Sequence, residues 1–168
     1  MPNAAYLPAI REAFAVATAG DPPLDTIQIS HPSLADSIYL VKNREDLTLT
    51  LETGLPVLFK GCGFRMALPP SGDDGLQELT IAVDNVDRQV SDFLDSVKTS
   101  KAPVQVTYRP YLASVRTEPQ MDPPLVLFLG DAKVTVFEAT GRASFADLIN
   151  KKFPAQMYTR SRFHSLGE

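Results

Sequence analysis

Apolar and polar residues alternate over most of this chain, and the spacing shifts to a helical one in only a few places. The stretch from Leu79 to Val97 reads LTIAVDNVDRQVSDFLDSV and contains both patterns. Leu79, Ile81 and Val83 alternate with Thr80 and Ala82, the period of a strand with one buried face. Val90, Phe93, Leu94 and Val97 then recur at i, i+3, i+4 and i+7, the stripe of an amphipathic helix. Between them, Asp84-Asn85-Val86-Asp87 offers side-chain oxygens suited to a helix N-cap and its dipole. A strand, a capped turn and a helix are therefore predicted here.

A second helical spacing covers Ala4 to Ala19, with Leu7, Ile10, Phe14 and Ala17 on one side, Pro8 in the first turn and Gly20 closing it. Strands are predicted over Leu24–Ser30 and Ser37–Val41, joined as a hairpin through the His31-Pro32-Ser33 turn, and over Leu47–Leu51. Gly54–Gly63 reads as a turn and one strand that ends in the surface loop Pro69–Gly75. Pro103–Leu112 alternates again. Ser114–Pro123 reads as a hairpin loop. The apolar run Leu125–Leu129 predicts a central strand covered on both faces. Lys133–Phe137 and Thr140–Phe145 complete a meander, with a bulge expected at Gly141, and Asp147–Asn150 is a short helical turn. The sum is an α+β, mostly antiparallel β protein, folded as a β-barrel or β-sandwich with an N-terminal helix and a flanking helix.

Length and composition narrow the class. The 168 residues suit a single core, with 44% apolar and 21% charged residues as in an ordinary folded protein. Three parts are predicted: an N-terminal helix (1–20), a β-rich body (21–150) and a C-terminal arm (151–168). Fourteen prolines fall as punctuation at pairs such as Pro22-Pro23, Pro69-Pro70 and Pro123-Pro124. No apolar run reaches the roughly 18 residues that cross a bilayer, and no basic-then-apolar leader opens the chain. A protein made in a reducing cytoplasm, without membrane attachment, is the expectation.

The arm holds Lys151, Lys152, Arg160 and Arg162 against Glu168, a balance of +3. That leaves −7 on the first 150 residues of a chain whose total is −4. A basic, aromatic arm on an acidic body suits a groove on a neighbouring subunit, or single-stranded nucleic acid read by stacking. The acidic body repels phosphates and favours docking. The docking residues predicted are Lys152, Phe153, Tyr158, Arg160, Arg162 and Phe163.

Candidates for chemistry are sparse. Cys62 between Gly61 and Gly63 invites a nucleophile reading with His31 or His164 as base. Its place between Phe59 and Phe64 predicts a small buried apolar residue instead. The two histidines have no acidic partner at metal spacing. Asp73-Asp74 lack the spacing of a calcium loop, and Glu45, Asp46, Asp92 and Asp95 read as solvated. Neither GxGxxG nor GxxxxGK[ST] occurs, nor a G-x-S-x-G elbow. No enzyme activity, cofactor or metal is expected.

The strand and turn from Ile27 to Leu34, LTIAVDNVDR (Leu79–Arg88), ATGRASFADLINKKFP (Ala139–Pro154) and YTRSRFHSL (Tyr158–Leu166) resemble the minor tail or distal tail-tip proteins of long-tailed phages and prophages, long catalogued as a domain of unknown function. The resemblance runs from about Leu24 to the end and leaves the N-terminal helix unplaced. It implies a fold similar to the tail tube, in a ring joining the tube to the host-recognition hub around the DNA conduit. The implied partners are further copies of the chain, as a hexamer or trimer, with the tube protein, hub and tape measure. DNA would be met only in transit, and the implied location is the virion. The alternative expectation is a small β-barrel binding carbohydrate, peptide or single-stranded nucleic acid.

Overall fold

Among the described residues the alternating pattern becomes nine strands, and the two helical stripes become two helices. The computed structural model describes residues 6–16, 21–67, 78–84, 88–100, 102–135 and 138–144. In chain order these are α1 (Pro8–Val16), β1 (Pro23–Ser30), β2 (Ile38–Val41), β3 (Leu47–Thr50), β4 (Pro56–Gly61) and β5 (Phe64–Ala67). There follow β6 (Glu78–Asp84), α2 (Gln89–Val97), β7 (Val104–Leu112), β8 (Leu125–Val134) and β9 (Glu138–Ser144). The chain is α+β and mostly β.

All nine strands join one sheet in the order β3-β4-β2-β1-β7-β8-β9-β6-β5. The predicted β1–β2 hairpin pairs Ile27 with Leu40 and Ile29 with Ile38. Every neighbouring pair is antiparallel except β2–β4, which runs parallel through Leu40–Lys60 and Val41–Gly61 alone. β4 and β5 stand near opposite ends of this order, yet only Cys62 and Gly63 separate them in the chain. Three Cα steps span at most about 11 Å, so the two ends of the sheet lie side by side and the sheet is strongly curled.

The link is bonded to both ends. The Cys62 amide donates to Val41 O at the end of β2 (3.0 Å), and the Asp84 amide at the end of β6 donates to Gly63 O (2.9 Å). No ladder joins β5 to β2. The expected closed barrel or two-sheet sandwich is thus replaced by one open, mixed, curled sheet with a seam at Cys62-Gly63. The single strand expected between Gly54 and Pro69 is likewise two, because its halves pair with different ends of the sheet.

One face of the sheet carries the main core. Ile27, Ile29, Val106, Leu127, Leu79 and Ile81 lie beneath α2, which buries Val90, Phe93 and Val97 as its stripe predicts. The start of α2 differs from expectation. Its cap is Arg88, with φ 56° and no side-chain cap bond, while Asp84 belongs to β6 and Asn85–Asp87 lie outside the described residues. On the other face, around β1, β2, β4 and β3, a smaller core collects Leu24, Val41, Leu49, Phe59 and Tyr111.

β8 also departs from its prediction. It runs on through Lys133, and only Leu127 is fully buried, with Val126 and Phe128 half-buried on the opposite face. Its residues alternate between a covered and a partly open face, as in any strand with one packed side. The bulge lies in β8 rather than at Gly141: Leu129 pairs with Ala143 and Ala132 with Gly141, so Gly130-Asp131 oppose Arg142. Gly141 serves instead for close packing, since a Cβ there would lie 2.6 Å from Leu129 Cδ1.

α1 begins at Pro8, later than predicted, since Tyr6 and Leu7 precede the helix; residues 4, 5 and 17–19 of the predicted span lie outside the described set. It buries Ile10 completely. Tyr6 bridges to Met121, and the Leu7 amide donates to Gln120 O (3.0 Å). The β7–β8 connection therefore holds this helix against the body.

Candidate functional site: a basic cleft at the seam

The seam opens into a cleft of about 710 Å³. Its floor is apolar: Leu40 at the end of β2, Val83 near the end of β6, and Val90 in the first turn of α2, all buried in the main core. Its rim is charged. Lys42 and Arg44 come from the loop after β2, Lys60 from β4 and Arg88 from the start of α2, with Asp84 the one lining carboxylate among the described residues.

The sequence positions these groups through glycine and short loops. The Gly61 amide donates to Asp46 Oδ1 (2.8 Å), the Asn43 amide to Val41 O (2.8 Å), and Asn43 Nδ2 to Glu45 O (3.2 Å). A Cβ on Gly61 would sit 2.6 Å from Glu45 O and 3.0 Å from Asn43 O, both backbone atoms, so only glycine lets this loop close on β4. The loop wall then presents Arg44 outward. A Cβ on Gly63 would strike the Asp84 carboxylate, which lies against that glycine.

Lys42 is 3.8 Å from Asp25, whose other oxygen accepts from Tyr108 Oη (2.8 Å). Burial and the Asp25 carboxylate push the Tyr108 hydroxyl far above its usual range, and burial likewise raises Tyr6 beside it. Both phenols are therefore neutral near neutral pH. No side chain among the described residues forms an ion pair with Arg44 or Arg88. Two exposed guanidinium forks at the rim suit carboxylates or phosphates.

The sequence-predicted residues divide clearly. The docking residues Lys152, Phe153, Tyr158, Arg160, Arg162 and Phe163 lie outside the described residues, as do His164, Asp73 and Asp74. Cys62 lines the cleft but is half-buried in the β4–β5 link, neither within a strand nor fully in the core. No histidine among the described residues lines the cleft with it. His31 is buried elsewhere: its Nδ1 accepts from the Ser33 amide (3.1 Å), which places the proton on Nε2, donating to Ala102 O (3.1 Å). Its role is to tie the end of β1 to the start of β7.

Asp46 is exposed yet bonded to Gly61, while Asp95 pairs with Lys98 across one helical turn (N···O 2.5 Å). Among the described residues no group of three His, Cys, Asp or Glu side chains gathers to hold a metal. No helix among them is long and apolar enough to cross a membrane. Sequence reasoning passed over Lys42, Arg44, Lys60 and Arg88. The available signal was a Lys-Asn-Arg run directly after one strand and a lysine just before Gly-Cys-Gly.

A family described as a domain of unknown function (DUF1833) matches residues 9–158, nearly the whole chain. The chain belongs to this family. The match takes in α1 from its second residue, the complete sheet, both walls of the seam cleft and the first part of the C-terminal arm. No curated protein matches the chain.

Proposed function

We propose that the protein is a structural, non-enzymatic subunit of a phage tail tip, a distal or minor tail protein with a tail-tube-like fold. Several copies, as a trimer or hexamer, form a ring between the tube and the host-recognition hub, and DNA passes through it. The observation that carries this reading is the uncovered β3–β4 hairpin at one end of the open sheet. Leu55 and Leu58 there are 62% and 57% exposed. An apolar edge hairpin of this kind is a liability in a lone protein and an asset when a neighbouring copy covers it. A head-to-tail contact through such an edge closes into a ring by rotation. The net −7 of the first 150 residues keeps a passing polyanion from sticking, and the basic arm, with Lys152, Phe153, Tyr158, Arg160, Arg162 and Phe163, clasps the next subunit or the tube, hub or tape measure beyond it.

The test is an image of particles that carry a bulky tag on the N-terminus of this protein. Extra density at the distal end of the tail is expected. Particles without it, and tagged protein left soluble in the lysate, would remove the protein from the virion. Deleting the segment from Lys151 should leave a folded body that no longer assembles.

The seam cleft favours a second reading, a binding module for carbohydrate, peptide or single-stranded nucleic acid. Salt-sensitive binding of oligonucleotides that is lost on Arg160→Ala and Arg162→Ala would establish the nucleic-acid form of it.

A further inference from the structure

We propose that the seam cleft is a docking site for an acidic peptide segment of a partner protein. The cleft's volume of about 710 Å³ lies in the range of built binding sites, and it sits at the mouth of a curled sheet, where such sites recur. Its chemistry is two-layered. Leu40, Val83 and Val90 on the floor belong to the main core and are only 3–6% exposed, so they close the bottom of the cleft and an occupant meets chiefly the rim. Above them Lys42, Arg44, Lys60 and Arg88 converge from three separate elements; Asp84 is the lining carboxylate among the described residues, and Lys42 also lies 3.8 Å from Asp25. Arg44 and Arg88 are exposed, and each presents a planar fork that takes a carboxylate through two hydrogen bonds. The start of α2 points the positive end of its dipole the same way.

Charge on the whole body selects a short peptide over a nucleic acid. The first 150 residues carry −7, so the cleft is a basic island on an acidic protein. Charges act over about 8 Å at physiological salt. A brief acidic segment inside the cleft therefore feels the rim, whereas a long polyanion that continues past it is repelled by the body. A cleft of this chemistry operates whether or not the protein sits in a virion.

The experiment uses the full chain and fluorescence anisotropy with three labelled probes: a short peptide alternating glutamate and leucine, its glutamine–leucine counterpart, and an oligothymidylate. The glutamate peptide is expected to bind, and the other two at least about tenfold more weakly. Arg44→Gln combined with Arg88→Gln should weaken the glutamate peptide about fivefold or more, an exposed ion pair being modest. Both sites are exposed, so a thermal melt should show the fold intact. Arg116→Gln, an exposed change outside the cleft lining, serves as the control and should leave binding unchanged. Amide resonances of Cys62 and Gly63 should shift with the peptide. Equal binding of the glutamine peptide, indifference to the Arg44/Arg88 change, shifts confined to another surface, or tighter binding of oligothymidylate would each overturn the proposal.

Discussion

Phe59→Ala is the sharpest test of how the sheet is held at its β3 end. Phe59 is completely buried and stands edge-on to two other rings, Tyr39 at 5.2 Å between centroids and Tyr111 at 6.3 Å. With Leu24, Val41 and Leu49 it makes the smaller core, which lies on the face away from α2. Burying Phe→Ala sites in protein cores costs about 3–5 kcal/mol, and each ring pair adds roughly 0.5–1.5 kcal/mol beyond its buried area. The β3–β4 hairpin is an edge element and can sag into the gap, which draws the cost toward the lower end of that range. A loss of about 3 kcal/mol is therefore expected.

For a domain of this size that loss lowers Tm by roughly 6–12 °C. Urea unfolding followed by circular dichroism reads it as a lower midpoint. Hydrogen exchange should show Leu47–Thr50 and Pro56–Gly61 opening before the strands under α2, because the smaller core and a ladder of only two residues to β2 tie that hairpin to the sheet. The adjacent Leu58→Ala, at 57% exposure, should change stability by less than about 0.5 kcal/mol. Equal costs at positions 58 and 59, or a cost at Phe59 below about 1 kcal/mol, would refute the two-core description.

Tyr111→Phe removes a hydroxyl that donates to Thr50 O (2.8 Å) and should cost about 1 kcal/mol near neutral pH, read by urea unfolding. Burial pushes that hydroxyl up to about 12. The unfolded chain ionises it near 10, so the stabilisation is complete below about pH 10 and is lost as pH rises through 12; the Phe variant should show a shallower alkaline decline. Replacing His31 by Phe leaves the Ser33 amide and Ala102 carbonyl unmatched and should cost about 1–3 kcal/mol in the same assay. Gly61→Ala forces the new methyl against Glu45 O, so a loss of about 1–3 kcal/mol is expected on melting, with shifted amide signals from Asn43 to Asp46.

Strand positions were legible because alternation is a local property. Leu79, Ile81 and Val83 report one buried face whatever pairs beside them, and Val90, Phe93 and Val97 report a helix lying on that face. Pairing is not local. Nothing between Gly54 and Ala67 states that Gly61 ends a ladder with β2 while Phe64 begins one with β6, so two strands read as one and an open sheet read as a barrel or sandwich. The start of α2 differs for a related reason: Asp84 has the chemistry of an N-cap, but it is the last residue of β6, laddered to Glu138, and the helix begins only at Gln89. His31 was readable only as a turn residue, since its partner Ala102 is 71 positions away.

The cleft follows from that same unread pairing. Lys42, Arg44, Lys60 and Arg88 are scattered over 47 positions and look like ordinary solvated charges in sequence. They converge because Cys62 and Gly63 draw β2 and β6 to either side of one short link. Gathering four cations around one cleft costs mutual repulsion that closing the seam does not require. The cations are therefore better explained by what approaches the seam than by what holds it. Replacing both exposed arginines should accordingly leave folding stability within about 0.5 kcal/mol, or raise it by relieving repulsion, and a clear loss of stability on that double change would make the cluster a structural device after all.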